Sequence, residues 1–270
     1  MRSQLCNVVR IVGVVLGLQC AAAQAESIPV RIVVQSFAPL QWENDRRPDG
    51  YVTEYIQSVL DRVSKGLPVY VSSFEFLPWK RALLTAENEP NVLFFSISRT
   101  REREDMFHWL GEVSPYGQYF YRLAGGPDIG AQSIDDLRNL DVKIGVQDGS
   151  NLHAYLKQLG FEGSGNLVPV TDYHQEIEML FRGRVDLIPL SGALAEAAAC
   201  KQGFDGGQLE PVVFIEALAQ PLWAVFSKDT DASLVTAFTR EMAVLKETGF
   251  LDRERSEHVE RWRKRACGKR

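Results

Sequence analysis

Strand-like and helix-like segments alternate along this chain, twice over, and that alternation constrains the fold more than any other feature. Residues 28–35 are rich in β-branched side chains and read as a strand. Downstream, Val52, Tyr55, Ile56, Val59, Leu60 and Val63 fall on one face of an α-helix, and Gly66 and Pro68 stop it. A strand over 68–77, a short helix over 80–87 and an apolar strand over 91–98 follow. The pattern resumes with a short helix over 133–140, N-capped by Ser133, a strand over 142–147 and a helix over 151–159 closed by Gly160. A strand over 166–170 comes next. Thr171-Asp172 then caps a helix carrying Ile177, Leu180 and Phe181, and 185–190 is a strand. Such alternation predicts the α/β class with parallel sheet. Two sets predict two lobes with a cleft between them, joined near 119–127 and 218–226. A strand over 222–227 and a helix from about residue 232 to Gly249 close the chain.

The first residues read as an address. Arg2 and Arg10 carry the only charges before residue 26, an apolar stretch covers 11–18, and small residues stand at Ala23 and Ala25. A basic start, a short apolar middle and an A-x-A end predict a secretory signal peptide over 1–25. Cys20 follows Gln19, where a lipidation signal needs a small residue, so an acyl anchor is not expected. Cleavage removes two positive charges, moving the formal net charge from −5 to −7. An acidic chain is a poor candidate for nucleic-acid binding, and no apolar run is long enough for a membrane-spanning helix. Cys200 and Cys267 survive cleavage in an oxidising compartment, where a disulfide between them is slightly favoured over two free thiols. Six basic residues crowd 261–270 and read as a solvated end.

Motifs of catalysis are missing. The sequence holds no G-x-S-x-G elbow, no H-E-x-x-H, no P-loop and no G-x-G-x-x-G after a strand. His108, His153, His174 and His258 lack metal-ligand spacing, and His174 and Glu176, at i and i+2, point apart on a helix. Neither a metal nor a cofactor is expected.

One stretch is more specific. Ser96-Ile97-Ser98-Arg99-Thr100-Arg101-Glu102-Arg103, followed by Trp109 and Pro115-Tyr116, resembles the S-x-S-x-T-x-x-R element of family 3 extracellular solute-binding proteins, the polar amino acid receptors of ABC importers. In the same order come Phe37-Ala38-Pro39-Leu40, Gly50-Tyr51, the run from Leu137 to Gly149-Ser150, and Gly183-Arg184-Val185-Asp186, each similar to a family element. The resemblance implies a two-lobe periplasmic-binding-protein fold of type II. Lobe one is expected over 26–121 and 223–270, and lobe two over 122–222. It also implies a periplasmic monomer that closes by hinge motion on a small polar, carboxylate-bearing solute and presents it to an ABC permease.

The expected ligand contacts follow from the same match. Arg103 grips a carboxylate, since a guanidinium presents a rigid fork that fits it in two parallel hydrogen bonds. Ser96, Ser98 and Thr100 add neutral hydrogen bonds. Ser150 and Asn151, after Gly149, offer backbone N–H groups at a helix start. Phe37 and Trp79 form an aromatic wall, and Trp42 packs a loop. An alternative register places Arg101 in the arginine position, with Phe107 as its aromatic. Where the family carries its ammonium-binding carboxylate, five residues after Asp186, this chain has Ser191. A hydroxyl cannot neutralise an ammonium, so the solute lacks an amine or another acid serves it. The rival functions are a sensor module for a signalling partner and a dehydratase-like enzyme. The enzyme would need a cleft acid such as Glu54 or Glu75.

Overall fold

The computed structural model describes residues 27–192 and 194–268, so the expected signal peptide lies outside the described residues. Two sheets organise the chain. The first has five strands in the order β4-β1-β5-β12-β6, where β1 is Ile28–Val34, β4 Val69–Phe76, β5 Val92–Ser98, β6 Phe107–Ser114 and β12 Leu222–Ser227. β1 runs parallel to β4 and β5, as expected of strands joined by helices α1 (Tyr51–Val63) and α2 (Trp79–Asn88). β5 is buried at every position, which its apolar run demands of a central strand covered on both faces.

The expected parallel pairing covers β4, β1 and β5, and the sheet is mixed on the far side of β5. There a short 3₁₀ segment at Arg101–Arg103 leads to β6, which runs in the same direction as β5 without pairing beside it. β12 then returns from the end of the chain and inserts between β5 and β6, antiparallel to both. A small hairpin, β2 (Trp42–Asn44) with β3 (Arg47–Asp49), sits ahead of α1. Helix α7 (Ala232–Glu247) and α1 pack their apolar faces on this sheet. Tyr55 seals the contact by donating its hydroxyl proton to the carbonyl of Met242 at 2.9 Å.

The second lobe is built from β7 (Gln118–Leu123), flanked antiparallel by β10 (Ile188–Ser191) and β11 (Leu209–Phe214). A parallel pair, β8 (Ile144–Gln147) and β9 (Leu167–Val170), joins it through a bridge between Ile144 and Leu187. Helices α3 (Ile134–Arg138), α4 (Asn151–Gln158), α5 (Tyr173–Phe181) and α6 (Ala195–Lys201) complete the lobe. The chain passes between the sheets at 115–117 and 215–221, a few residues earlier than the sequence indicated, because β7 already belongs to the second sheet. No helix of the described residues is long and apolar enough to cross a membrane.

Arg261, Arg263, Lys264 and Arg265 are solvent-exposed, as expected, but the segment that carries them is packed. It forms the last turns of α8 (Phe250–Cys267), and Trp262 and Ala266 are buried against Ala38 and Ala197. Trp42 packs on the same helix, its ring 5.5 Å from that of Trp262. Cys267 is disulfide-bonded to Cys200 at the end of α6, with Cα atoms 5.1 Å apart.

Candidate functional site

The carboxyl ends of β1, β4 and β5 face those of β8, β9 and β10, and a cavity of about 110 Å³ lies between them. In α/β folds this is where ligands bind, because loops and helix N-termini with free polar groups converge there. The volume is of the order that admits one small organic solute. Phe37, Trp79, Ser96, Ser98 and Arg103 line it from the first lobe, and Ser150, Asn151 and Ser191 from the second.

Three arginines follow β5, and the structure gives each a different surrounding. Arg99 is ion-paired to Glu104 and lies between the rings of Trp109 and Trp223, 5.1 and 4.9 Å from their centroids. Arg101 is exposed. Arg103, at the end of the 3₁₀ turn, folds inward and is only 9% exposed. Its Nη1 donates to the carbonyl of Ser98 at 3.3 Å, and its guanidinium lies 5.4 Å from the Trp79 ring centroid. Burial lowers its pKa, and the fields of Glu87 and Glu102 oppose that. No carboxylate lies within ion-pairing distance of it among the described residues. A guanidinium carries five N–H donors, so most of its hydrogen-bonding capacity faces the cavity unfilled.

Other expected residues divide between contact and support. Ser96 has a left-handed backbone, φ 62°, and its hydroxyl donates to Gln41 Oε1 at 2.8 Å. Gln41 pairs with Phe37 through backbone hydrogen bonds of 2.6 and 3.1 Å, so Ser96 anchors the loop that presents Phe37. Trp79 donates from Nε1 to the carbonyl of Gly149 at 3.0 Å, and Lys80 is ion-paired to Asp148, which ties α2 to the turn opposite. Lys80 holds the Asp148 carboxyl below its usual range. In that turn Gly149 has φ 73°; its N–H donates to His153 Nδ1, and that of Ser150 to the carbonyl of Gln147. Ser150 caps α4 by accepting from the N–H of His153. The N–H groups of Gly149 and Ser150 are thus occupied, and those of Asn151 and Leu152, in the first turn of α4, have no partner within the helix. Thr100 lies outside the cavity, in an adjoining groove with Arg101 and Glu102.

Of the lining residues that the sequence did not indicate as contacts, three bear on the chemistry of the cavity. Tyr116 and Tyr173 flank Phe37, ring centroids 6.1 and 5.9 Å away, and burial raises both phenol pKa values above the ordinary range. Glu176 is the third. It lies on the first turn of α5, 2% exposed, and a backbone N–H of Gln147 donates to it. Burial pushes its carboxyl well above the usual range, and Asp172 adds to the shift. His174 and Glu176 do point apart, as the helix requires, but Glu176 points into the cavity. The signal was present: Glu176 shares an apolar stripe with Tyr173 and Leu180, at i−3 and i+4.

The acids considered for catalysis lie elsewhere. Glu75 pairs with Arg31 at 2.8 Å. Glu54 faces the buried His258, whose Nε2 is 3.2 Å from Glu54 Oε1 and 3.8 Å from Glu254 Oε2. With Asp49 these groups approach metal-ligand spacing. However, Asp49 already accepts from Gly50 and Asn44, and Arg47, Arg261 and Arg265 line the same groove and repel a cation.

Comparison with solved structures matches almost the whole chain. A histidine kinase sensor domain with similarity to periplasmic binding proteins superposes with a TM-score of 0.71 at 17% identity, covering 86% of this chain and 96% of that one. An amino acid ABC transporter substrate-binding protein from Streptococcus pneumoniae, bound to L-arginine, gives 0.69 at 18% identity, covering 87% and 95%. The chain has the two-lobe periplasmic-binding-protein fold. An ancestral amino-acid-binding protein, a precursor of cyclohexadienyl dehydratase, shares this fold with a TM-score of 0.65 at 16% identity, covering 87% and 94%. No protein-family model and no curated protein matches the sequence. Arg103 and Glu176 stand on opposite walls of the cavity between the two lobes of this fold.

Proposed function

We propose that this protein is a periplasmic solute receptor that captures a small polar, carboxylate-bearing molecule between its lobes and hands it to an ABC permease. Arg103 carries the reading: a buried guanidinium with unfilled donors, aimed into a cleft, is matched by a ligand carboxylate. Ser98, Ser150, Asn151 and Ser191 supply neutral contacts, and Phe37, Trp79, Tyr116 and Tyr173 supply apolar walls. No covalent chemistry is required. Differential affinity for the closed arrangement drives closure, with the two passages between the sheets as hinges. The signal peptide over 1–25, the monomeric state and the lobe division belong to the same reading.

A second reading keeps the ligand and changes the listener, a signalling partner in place of a permease. The sensor-domain neighbour favours it. The test common to both is a thermal-shift screen of protein refolded to strip bound solute, against carboxylates, amines and sugars. A carboxylate at 100 times its Kd adds about 2.7 kcal/mol of stability. A response to sugars or amines alone, with silence from every carboxylate, contradicts both readings. Consumption of the bound carboxylate, followed by NMR, moves the protein to the dehydratase-like class.

A further inference from the structure

The cleft holds a buried acid as well as a buried guanidinium, and the two do not pair with each other. Glu176 and Arg103 line the same cavity from opposite lobes, yet no ion pair joins them. Among the described residues no cation lies within ion-pairing distance of Glu176; its partner is a backbone N–H of Gln147. A carboxylate taken out of water without a counter-charge is costly, so a buried one facing a solute cavity calls for a partner that arrives with the solute.

We infer that Glu176 is the counter-charge for a cationic nitrogen on the solute, making the ligand a small zwitterion held at its carboxylate by Arg103 and at its cation by Glu176. The inference rests on the receptor reading above and names the ligand class of that site. Ser191, also in the cavity, is uncharged, so the cation is met from helix α5 instead of from the end of β10. The surroundings agree in sign. Asp172, the N-cap of the same helix, adds negative potential, and burial lowers the pKa of His174. Tyr116 and Tyr173 keep their protons, and with Phe37 they offer ring faces that attract a cation. Among the described residues, Arg103 is the sole lining side chain of fixed positive charge.

In the empty cleft burial raises the Glu176 pKa and so favours the neutral carboxyl. An ammonium beside it lowers that pKa, so uptake of a zwitterion shifts Glu176 toward proton release and uptake of a plain carboxylate does not.

The experiment is calorimetric titration of matched pairs: alanine with propionate, phenylalanine with 3-phenylpropionate, glutamate with glutarate. Wild type, Glu176→Gln, Glu176→Asp and Arg103→Ala are compared in two buffers of different ionisation enthalpy. Wild type is expected to prefer the amino member of its best pair by at least tenfold and to release a proton on binding it. In Glu176→Gln the preference falls below threefold and the proton release disappears, while the deaminated member still binds through Arg103. Glu176→Asp keeps a partial preference. An unchanged preference in Glu176→Gln, with binding still dependent on Arg103, overturns the inference and leaves the receptor reading intact. Tighter binding of the deaminated members by wild type overturns it equally. Failure of every member to bind wild type overturns the receptor reading, and the assignment of Glu176 with it.

Discussion

At the scale of single residues, the two buried ionisable groups of the cleft make the empty protein less stable than it would otherwise be. Glu176 shows this with a definite sign. Its carboxyl titrates higher in the folded protein than in the unfolded chain, because burial disfavours the charged form. At pH values below the ordinary carboxylate range both states are protonated and nothing is lost. As pH rises from that range toward the folded pKa, the unfolded state ionises first, so stability falls. Glu176→Gln removes this loss. Ligand-free melts of the variant should match wild type near pH 4 and exceed it increasingly toward pH 7, and a constant difference across that range would contradict the assignment. Ser96 carries a smaller cost, since a non-glycine residue at φ 62° is strained. Its hydroxyl bond to Gln41 offsets this by fixing the loop that presents Phe37.

At the scale of elements, Gly50 shows how tightly the start of α1 is built. It adopts φ 115°, and a Cβ there would stand 2.3 Å from the carbonyl oxygen of Leu40. Gly50→Ala should cost about 1–3 kcal/mol from backbone strain alone, read as a lower denaturant midpoint with an unchanged m-value, and an unchanged midpoint would contradict it. The strands and helices of the parallel units were legible in the sequence because each carries a clean period. β6, β7 and β11 were not. Their residues mix aromatic, charged and proline positions, and they are strands because distant segments pair with them. Helix α8 was missed for a related reason: it buries only Leu251, His258, Trp262 and Ala266, a stripe one residue wide on an otherwise charged helix. Trp262→Ala should therefore cost about 3–5 kcal/mol, measurable by equilibrium unfolding, where a solvated tail would cost almost nothing. The site was legible in the same uneven way. Arg103 stood out through its motif and neighbours. Glu176 did not, because a single acid on an apolar stripe carries meaning only once the cavity beside it is known.

At the scale of the whole molecule, contacts across the cleft hold the lobes together on two sides. Trp79 with Gly149, and Lys80 with Asp148, latch one side directly. On another side, α8 packs on α1 of the first lobe and is bound covalently to α6 of the second through Cys200 and Cys267. That bridge limits how far the lobes can separate. Replacing both cysteines by serine should lower stability by about 2–4 kcal/mol and increase the radius of gyration of the ligand-free protein in small-angle scattering. An unchanged scattering profile would show that the strap does not restrain opening. The central claim, however, concerns what the closed lobes grip. It is tested most directly by calorimetric titration of the best-binding carboxylate into wild type, Arg103→Ala and Arg101→Ala. Loss of a buried charge partner costs about 2–5 kcal/mol, so Arg103→Ala should weaken binding by roughly thirtyfold or more, while the exposed Arg101→Ala stays within twofold of wild type. Equal affinity in wild type and Arg103→Ala would contradict the account at its foundation.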